Sequence, residues 1–210
     1  MKKILLIALF PLAVSAQRGG GNNDGPRFGW AGDANGNGIP ALYGFSVGIS
    51  SASVSVSGGT MPPGGEPRTG ISVNAFLAIP VSQRFFIRPE FGYAAMGSRK
   101  SASGFIYDAD YFLMPILGSF ELNPNRSIRI LIGPQLGYLL SASQSVSGVK
   151  TNVRDQVSIR DFSIAGGVEW LPNRFGLSLR GQYGFSDAAP GASIVRNRMI
   201  AANIVFRLSK

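Results

Sequence analysis

Arg88-Pro89-Glu90-Phe91-Gly92-Tyr93 returns along the chain as Gly133-Pro134-Gln135-Leu136-Gly137-Tyr138 and as Arg180-Gly181-Gln182-Tyr183-Gly184-Phe185. In each copy a Glu or Gln alternates with bulky apolar residues, a Gly follows and an aromatic closes. A short turn ending in Arg precedes each: Val81-Ser82-Gln83-Arg84, Asn123-Pro124-Asn125-Arg126 and Pro172-Asn173-Arg174. A recurring hairpin with one greasy and one polar face is the pattern of a barrel wall in a membrane.

The same alternation runs outward from these segments. Tyr43, Phe45, Val47 and Ile49 face opposite Gly44, Ser46 and Gly48; Ile71, Val73, Ala75, Leu77 and Ile79 face opposite Ser72 and Asn74. Phe85, Ile87, Pro89, Phe91 and Tyr93 oppose Arg88 and Glu90. Phe112, Met114, Ile116 and Phe120 oppose Leu113, Leu117, Ser119 and Glu121, and Ile128, Ile130, Ile132, Leu136 and Tyr138 oppose Arg129 and Gln135. The last three segments set Phe162, Ile164, Val168 and Trp170 against Asp161, Ser163 and Glu169; Phe175, Leu177, Leu179, Tyr183 and Phe185 against Ser178, Arg180 and Gln182; and Ile200, Ala202, Ile204, Phe206 and Leu208 against Asn203 and Arg207. An even number of strands results, several with apolar faces of about 9 to 11 residues, the length of a tilted bilayer crossing. The fold class is therefore all-β, an eight-stranded antiparallel up-and-down transmembrane β-barrel.

Connections alternate as well. Three are tight turns, while 57–69, 94–109, 141–159 and 186–197 exceed the usual hairpin length. Short turns inside and long loops outside is the outer-membrane arrangement. In that orientation Tyr93, Tyr138 and Phe185 end ascending strands at the outer headgroups, and Trp170 and Phe175 bracket an inner turn, together forming an aromatic girdle. Pro89, Pro115 and Pro134 fall inside strands and predict bulges there.

A soluble barrel would bury the apolar face, and a periplasmic binding barrel is the rival at this level. Here the apolar face is wide and aromatic, more than eight strands can enclose, whereas the polar face is small and ionisable. The bulky residues therefore face lipid. Arg88, Glu90, Glu121, Arg129, Asp161, Glu169, Arg180 and Arg207 then share the lumen as a charge network close to neutrality, as a low-dielectric interior demands. If Pro124-Asn125-Arg126 is the turn, Glu121 stands opposite Arg129 as one rung of an internal ladder. Lumen residues solvated by trapped water are the plainer alternative.

Residues 1–16 read as a signal peptide: Lys2 and Lys3, an apolar run from Ile4 to Val14, and the cleavage site Val14-Ser15-Ala16. Cleavage leaves about 194 residues, one domain's worth. Residues 17–41 are a Gly/Asn-rich leader expected to be flexible, and 42–210 form the barrel domain. Within the leader, Asp33-Ala34-Asn35-Gly36-Asn37-Gly38 has the start of a calcium loop, but Gly44 stands where the bidentate acid belongs, so it reads as a turn.

The chain contains no His and no Cys. That removes the usual general base of a Ser or Cys hydrolase, thiolate metal sites, disulfides and a lipidated cysteine. Asp108 and Asp110, two apart on a strand-like stretch, could share a face, although a solvated loop pair is the plainer account. No catalytic residue, metal site or cofactor is expected. The formal net charge is +9, and +7 without Lys2 and Lys3. The charges are dispersed with no basic-aromatic cluster, which points away from nucleic acid and toward lipid headgroups or acidic glycans as partners.

Tyr111-Phe112-Leu113-Met114-Pro115-Ile116-Leu117, Gly133-Pro134-Gln135-Leu136-Gly137-Tyr138-Leu139-Leu140 and Asp161-Phe162-Ser163-Ile164-Ala165-Gly166-Gly167 resemble the PorT-like outer-membrane β-barrel family. The hairpin from Ile79 to Glu90 and the tail from Asn197 to Leu208 fit the same pattern, so the resemblance covers Tyr43 to the end. It implies an eight-stranded barrel in the outer membrane without a family-wide catalytic site. Some relatives are linked to protein secretion. Two departures stand out: Leu113 replaces an inward acid common in relatives, and the chain ends Phe206-Arg207-Leu208-Ser209-Lys210 rather than on an aromatic.

The expected function is that of a non-enzymatic outer-membrane barrel with a side-chain-filled lumen, a scaffold or a loop-mediated interaction protein. Its partners are outer-membrane lipids and an unidentified protein reached through the long outer loops. A small-solute channel, or an accessory subunit of a secretion or adhesion assembly, are the alternatives.

Overall fold

Residues 27–32, 38–57, 66–100, 104–123, 125, 127–186 and 194–209 are described in a computed structural model. Eight long strands close into one antiparallel barrel: β3 (Leu42–Ser57), β4 (Glu66–Pro80), β5 (Phe85–Lys100), β6 (Phe105–Glu121), β7 (Ile128–Val146), β9 (Arg160–Trp170), β10 (Phe175–Gly184) and β11 (Ile194–Arg207). Each pairs with its neighbours in chain order, and β11 closes on β3 from Ile194 opposite Ser57 to Arg207 opposite Gly44. Closure removes the open edge that a membrane would not tolerate.

The strand pleat sorts side chains as the alternation requires. Ile71 and Ile200 are more than half exposed while Ser72 and Asn203 are buried, and the same split holds for Leu179 against Ser178. In water such a surface would be a severe aggregation hazard; in hydrocarbon it is the stable arrangement. Aromatic pairs face outward near the tight turns: Phe45 stacks 4.8 Å from Phe206, and Phe85 lies tilted 4.7 Å from Phe120, between ring centroids. The β6–β7 turn is closed by Asn123, whose side-chain oxygen accepts from the backbone N–H groups of Ser127 and Ile128, both at 2.9 Å.

Three expectations need correction. First, the prolines do not insert bulges. Pro89 and Pro115 lie in β5 and β6 and Pro134 in β7, yet the register stays in step on both sides of each. A proline removes one ladder donor without adding a residue, so the pairing lapses locally and resumes in phase. Register shifts instead fall between Pro67 and Ser72 and between Asp110 and Tyr111.

Second, two of the expected outer connections, 94–109 and 141–159, are mostly strand among the described residues. β5 runs to Lys100 and β6 starts at Phe105; β7 continues to Val146 and folds back as β8 (Val149–Asn152), followed by a single 3-10 turn at Arg154–Gln156. The β7–β8 turn has Ser147 and Gly148 at positive φ, 51° and 88°, the type I′ geometry that matches strand twist. These strands outrun the bilayer because their alternation continues, with Met96, Ala109 and Tyr111 still buried inside.

Third, part of the leader is paired. β1 (Arg27–Gly32) and β2 (Gly38–Pro40) form a two-stranded sheet. Ile39 packs against Ala78 and Phe86 and closes the tight-turn end of the barrel. The apolar Gly38-Ile39-Pro40-Ala41 provides that contact, which the Gly/Asn content around it obscured. Residues 1–16, expected to be a signal peptide, and residues 33–37 of the expected Gly/Asn turn lie outside the described residues.

Candidate functional site

The lumen contains the chain's concentrated chemistry. Six of its charged side chains form one alternating file. Arg180 on β10 donates to Glu90 on β5, with Nη2 at 2.9 Å from Oε1. Arg88, two residues from Glu90 on the same strand, places Nε 2.7 Å from the Glu90 carboxylate and Nη1 2.8 Å from Glu169 on β9. Arg129 on β7 reaches Glu169 at 3.3 Å and Glu121 on β6 at 3.0 Å. Glu121 and Arg129 are directly paired in the β6–β7 ladder.

Three arginines and three glutamates thus alternate from Arg180 to Glu121, and all six side chains are at least nine-tenths buried. Burial in low dielectric makes an isolated charge prohibitive, so each guanidinium needs its carboxylate and each carboxylate its guanidinium. Arginine suits this file because its planar fork donates to two partners at once. The Arg88 guanidinium also lies 3.7 Å above the centre of the Phe76 ring, a cation–π contact inside the lumen.

Asp161 and Arg207 stand apart from the file. Asp161 accepts from Ser186 Oγ at 2.8 Å and from Asn197 Nδ2 at 3.3 Å, and the same amide reaches the Tyr111 hydroxyl at 3.2 Å. Arg207 is only half-buried and enters no salt bridge among the described residues. Sequence spacing could not separate these two from the file. Alternation assigns a face but not a depth, and Asp161 lies near the outer end of β9 whereas Arg207 ends β11 at the inner rim.

Above and below the charges, inward side chains pair and pack with one another. Gln135 donates to Ser163 at 3.2 Å and Ser72 to Asn203 at 2.5 Å. Leu117, Leu131 and Ala165 pack together at one level, and Phe76, Leu171 and Val205 at another. Near the outer end Met96, Tyr111, Leu113, Leu139, Val153 and Met199 belong to a large buried apolar cluster. Leu113 was legible as an inward residue, but the cluster as a whole was not: Met96 and Val153 fall where long connections were expected, and Tyr111, Leu139 and Met199 lie just beside them.

The five aromatics expected at the headgroup levels occupy outward positions; Trp170 and Phe175 flank a tight turn, whereas β5 and β7 run on well past Tyr93 and Tyr138. Tyr138, Trp170, Phe175 and Phe185 are exposed, and Tyr93 is half-buried because its hydroxyl donates to Asp110 at 2.7 Å. Asp110 also accepts from Ser141 Oγ at 2.6 Å, while Asp108 is paired with Arg68 at 2.7 Å. The two carboxylates are therefore engaged by separate protein donors rather than converging on a shared site. Among the described residues no group of three potential metal ligands gathers.

Solved structures resemble this fold at low identity. The attachment invasion locus protein Ail of Yersinia pestis superposes with a TM-score of 0.50 at 15% identity, over 81% of this chain and 100% of that one. Neisserial surface protein A gives 0.45 at 12% identity, over 80% and 99%. OprG of Pseudomonas aeruginosa gives 0.44 at 9% identity, over 81% and 96%. No curated protein matches the sequence. The model of a family described as outer membrane protein beta-barrel domain matches residues 23–189. With its closed eight-stranded wall, its apolar exterior and that match over most of its length, this chain belongs to the outer membrane protein beta-barrel domain family and resides in the outer membrane.

Proposed function

We propose that this protein is a non-enzymatic, non-conducting barrel that anchors an outer-facing sheet and presents it to a protein partner. The observation that carries the reading is the filled lumen. Arg180 and Glu90 join strands on opposite sides of the barrel, and Asn197 and Tyr111 do the same nearer the outer end. Two such ties, with an apolar stopper beside the outer one, leave no continuous wet path for a solute. A chain without His also has no ordinary general base for hydrolysis or acyl transfer. The outward aromatics Tyr93, Tyr138, Trp170, Phe175 and Phe185 then mark the headgroup levels, and residues 1–16 serve as the export signal.

The outer projection supplies the presenting surface. β7 and β8 extend past the girdle level, with Val149 71% and Val146 44% exposed at the hairpin tip. Apolar residues held out in water on a rigid hairpin favour contact over solvation. The PorT-like resemblance, whose members include secretion-linked proteins, is compatible with an accessory subunit docking there. Photocrosslinking from position 149 in intact cells, paired with liposome swelling in small sugars, tests the reading. A discrete crosslinked protein and no solute uptake support it; uptake well above protein-free liposomes would make the barrel a channel instead.

A further inference from the structure

On the outward surface of the described residues, two neighbouring glycines interrupt the grease. On a single rung of the barrel, Ile132 of β7 faces Gly166 of β9, Gly166 faces Gly181 of β10, and Gly181 faces Ile200 of β11. Ile132 and Ile200 are well over half exposed, while the two glycines between them present bare backbone. A Cβ built on Gly181 would meet nothing within 4 Å. Ile164 and Tyr183 stand on the rung above, Val168 and Leu179 on the rung below. The result is a sunken groove of about 500 Å³ that extends up to Arg198.

The upper end of that groove is basic. β11 descends from the outer rim, so Arg196 and Arg198 lie on the outer side of Ile200, about 7 to 13 Å above it at the strand rise. Arg198 pairs with Tyr183 across the ladder and sets its guanidinium 4.9 Å from the centre of that ring. Arg196 points to the same face, and both guanidinium groups reach the Tyr183 hydroxyl. Neither arginine enters a salt bridge among the described residues. Two arginines held at headgroup depth, directly over an apolar groove in the lipid-facing wall, match an amphiphile with a phosphate at the top and a hydrocarbon chain below.

We propose that this face of β9, β10 and β11 is a binding site for one acyl lipid of the outer leaflet whose phosphate headgroup carries net negative charge, that anionic phosphate on Arg196 and Arg198 and a chain seated over Gly166 and Gly181. The site depends on the outer-membrane location and not on the partner role proposed above. Bulk lipid would wet any apolar wall; the glycine groove under paired arginines is what makes this position selective. A second copy of the chain is the competing occupant, since a knob from a neighbouring barrel could enter the same groove.

Native mass spectrometry of the full chain released from mild detergent tests this, with phosphatidylglycerol and phosphatidylcholine of identical acyl chains as probes. One phosphatidylglycerol should be retained in clear preference to phosphatidylcholine. Arg196→Gln and Arg198→Gln should each weaken that retention about fivefold, the worth of one basic residue at an anionic surface. Gly181→Leu should displace the lipid while heat-dependent gel migration shows the barrel still folded. Equal retention of the two lipids, or phosphatidylglycerol retention unchanged in the double arginine variant, would overturn the proposal. So would a dimer in the wild type that Gly181→Leu abolishes, because the groove would then belong to a second copy.

Discussion

Arg180 on β10 and Glu90 on β5 meet at 2.9 Å although their strands stand four places apart around an eight-strand ring, the greatest separation possible. A contact between opposite walls means that the interior at this level has the width of two side chains. It converts a ring of strands into a braced solid, and the other charges of the file brace it further through Arg88, Glu169, Arg129 and Glu121.

Glu169 is the keystone of the file, because it receives both Arg88 and Arg129. Glu169→Gln should cost about 3–5 kcal/mol by leaving two buried guanidinium groups short of charge. The temperature at which the folded band converts to the unfolded one on gels should fall accordingly. Glu121→Gln, at the end of the file, should lower it by less; a conversion temperature unaffected by either substitution would contradict the network.

Two glycines make opposite predictions. A Cβ at Gly133 would lie 2.1 Å from the Ile116 carbonyl oxygen on the adjacent strand, whereas one at Gly181 meets open space. Gly133→Ala should therefore impair assembly of the barrel, since a backbone atom cannot give way as a flexible side chain can. Gly181→Ala should insert and fold normally. The comparison is read as the fraction of heat-modifiable protein in isolated membranes.

Asn197 serves two buried oxygens from one amide, those of Asp161 and Tyr111. Asn197→Ala should cost about 1–3 kcal/mol by stranding them. The loss should be local to the outer end, seen as faster amide exchange in the outer halves of β9 and β11 with the inner ends unchanged. Uniform exchange throughout the barrel would count against a layered lumen.

At the tip of the outer hairpin, Gly148 holds φ at 88°. Gly148→Val places a β-branched residue in the left-handed region, at a cost of about 1–3 kcal/mol. Because β8 pairs with β7 alone, this strain should open the tip to protease without changing the heat conversion of the barrel.

Alternation carried much of this structure. A period of two assigned Ile71 and Ser72, Leu179 and Arg180 to opposite faces without any tertiary information, because the pleat allows no other answer. The opposition of Glu121 and Arg129 was readable for a related reason: a tight turn sets hairpin register. What alternation cannot convey is height. Phe76 beneath Arg88, Tyr111 beside Asn197 and the link from Arg88 to Glu169 all join residues distant in sequence at one level of the lumen. Those levels depend on strand stagger around the ring, which no single hairpin specifies. The outer segments were harder still. Ser, Gly and Ala there resemble loop composition, yet Met96, Ala109 and Ala142 continue the inward face and hold the strands together above the membrane.

A lumen closed by its own side chains should pass no steady ion current. Single-channel recording of the purified protein in planar bilayers addresses it directly, with the Arg88→Ala/Glu169→Ala double variant as a companion. The wild-type barrel should show no steady current at either polarity, and leak or flicker should appear only where the braces have been removed. A sustained, sizeable conductance from the unaltered protein would contradict a closed lumen.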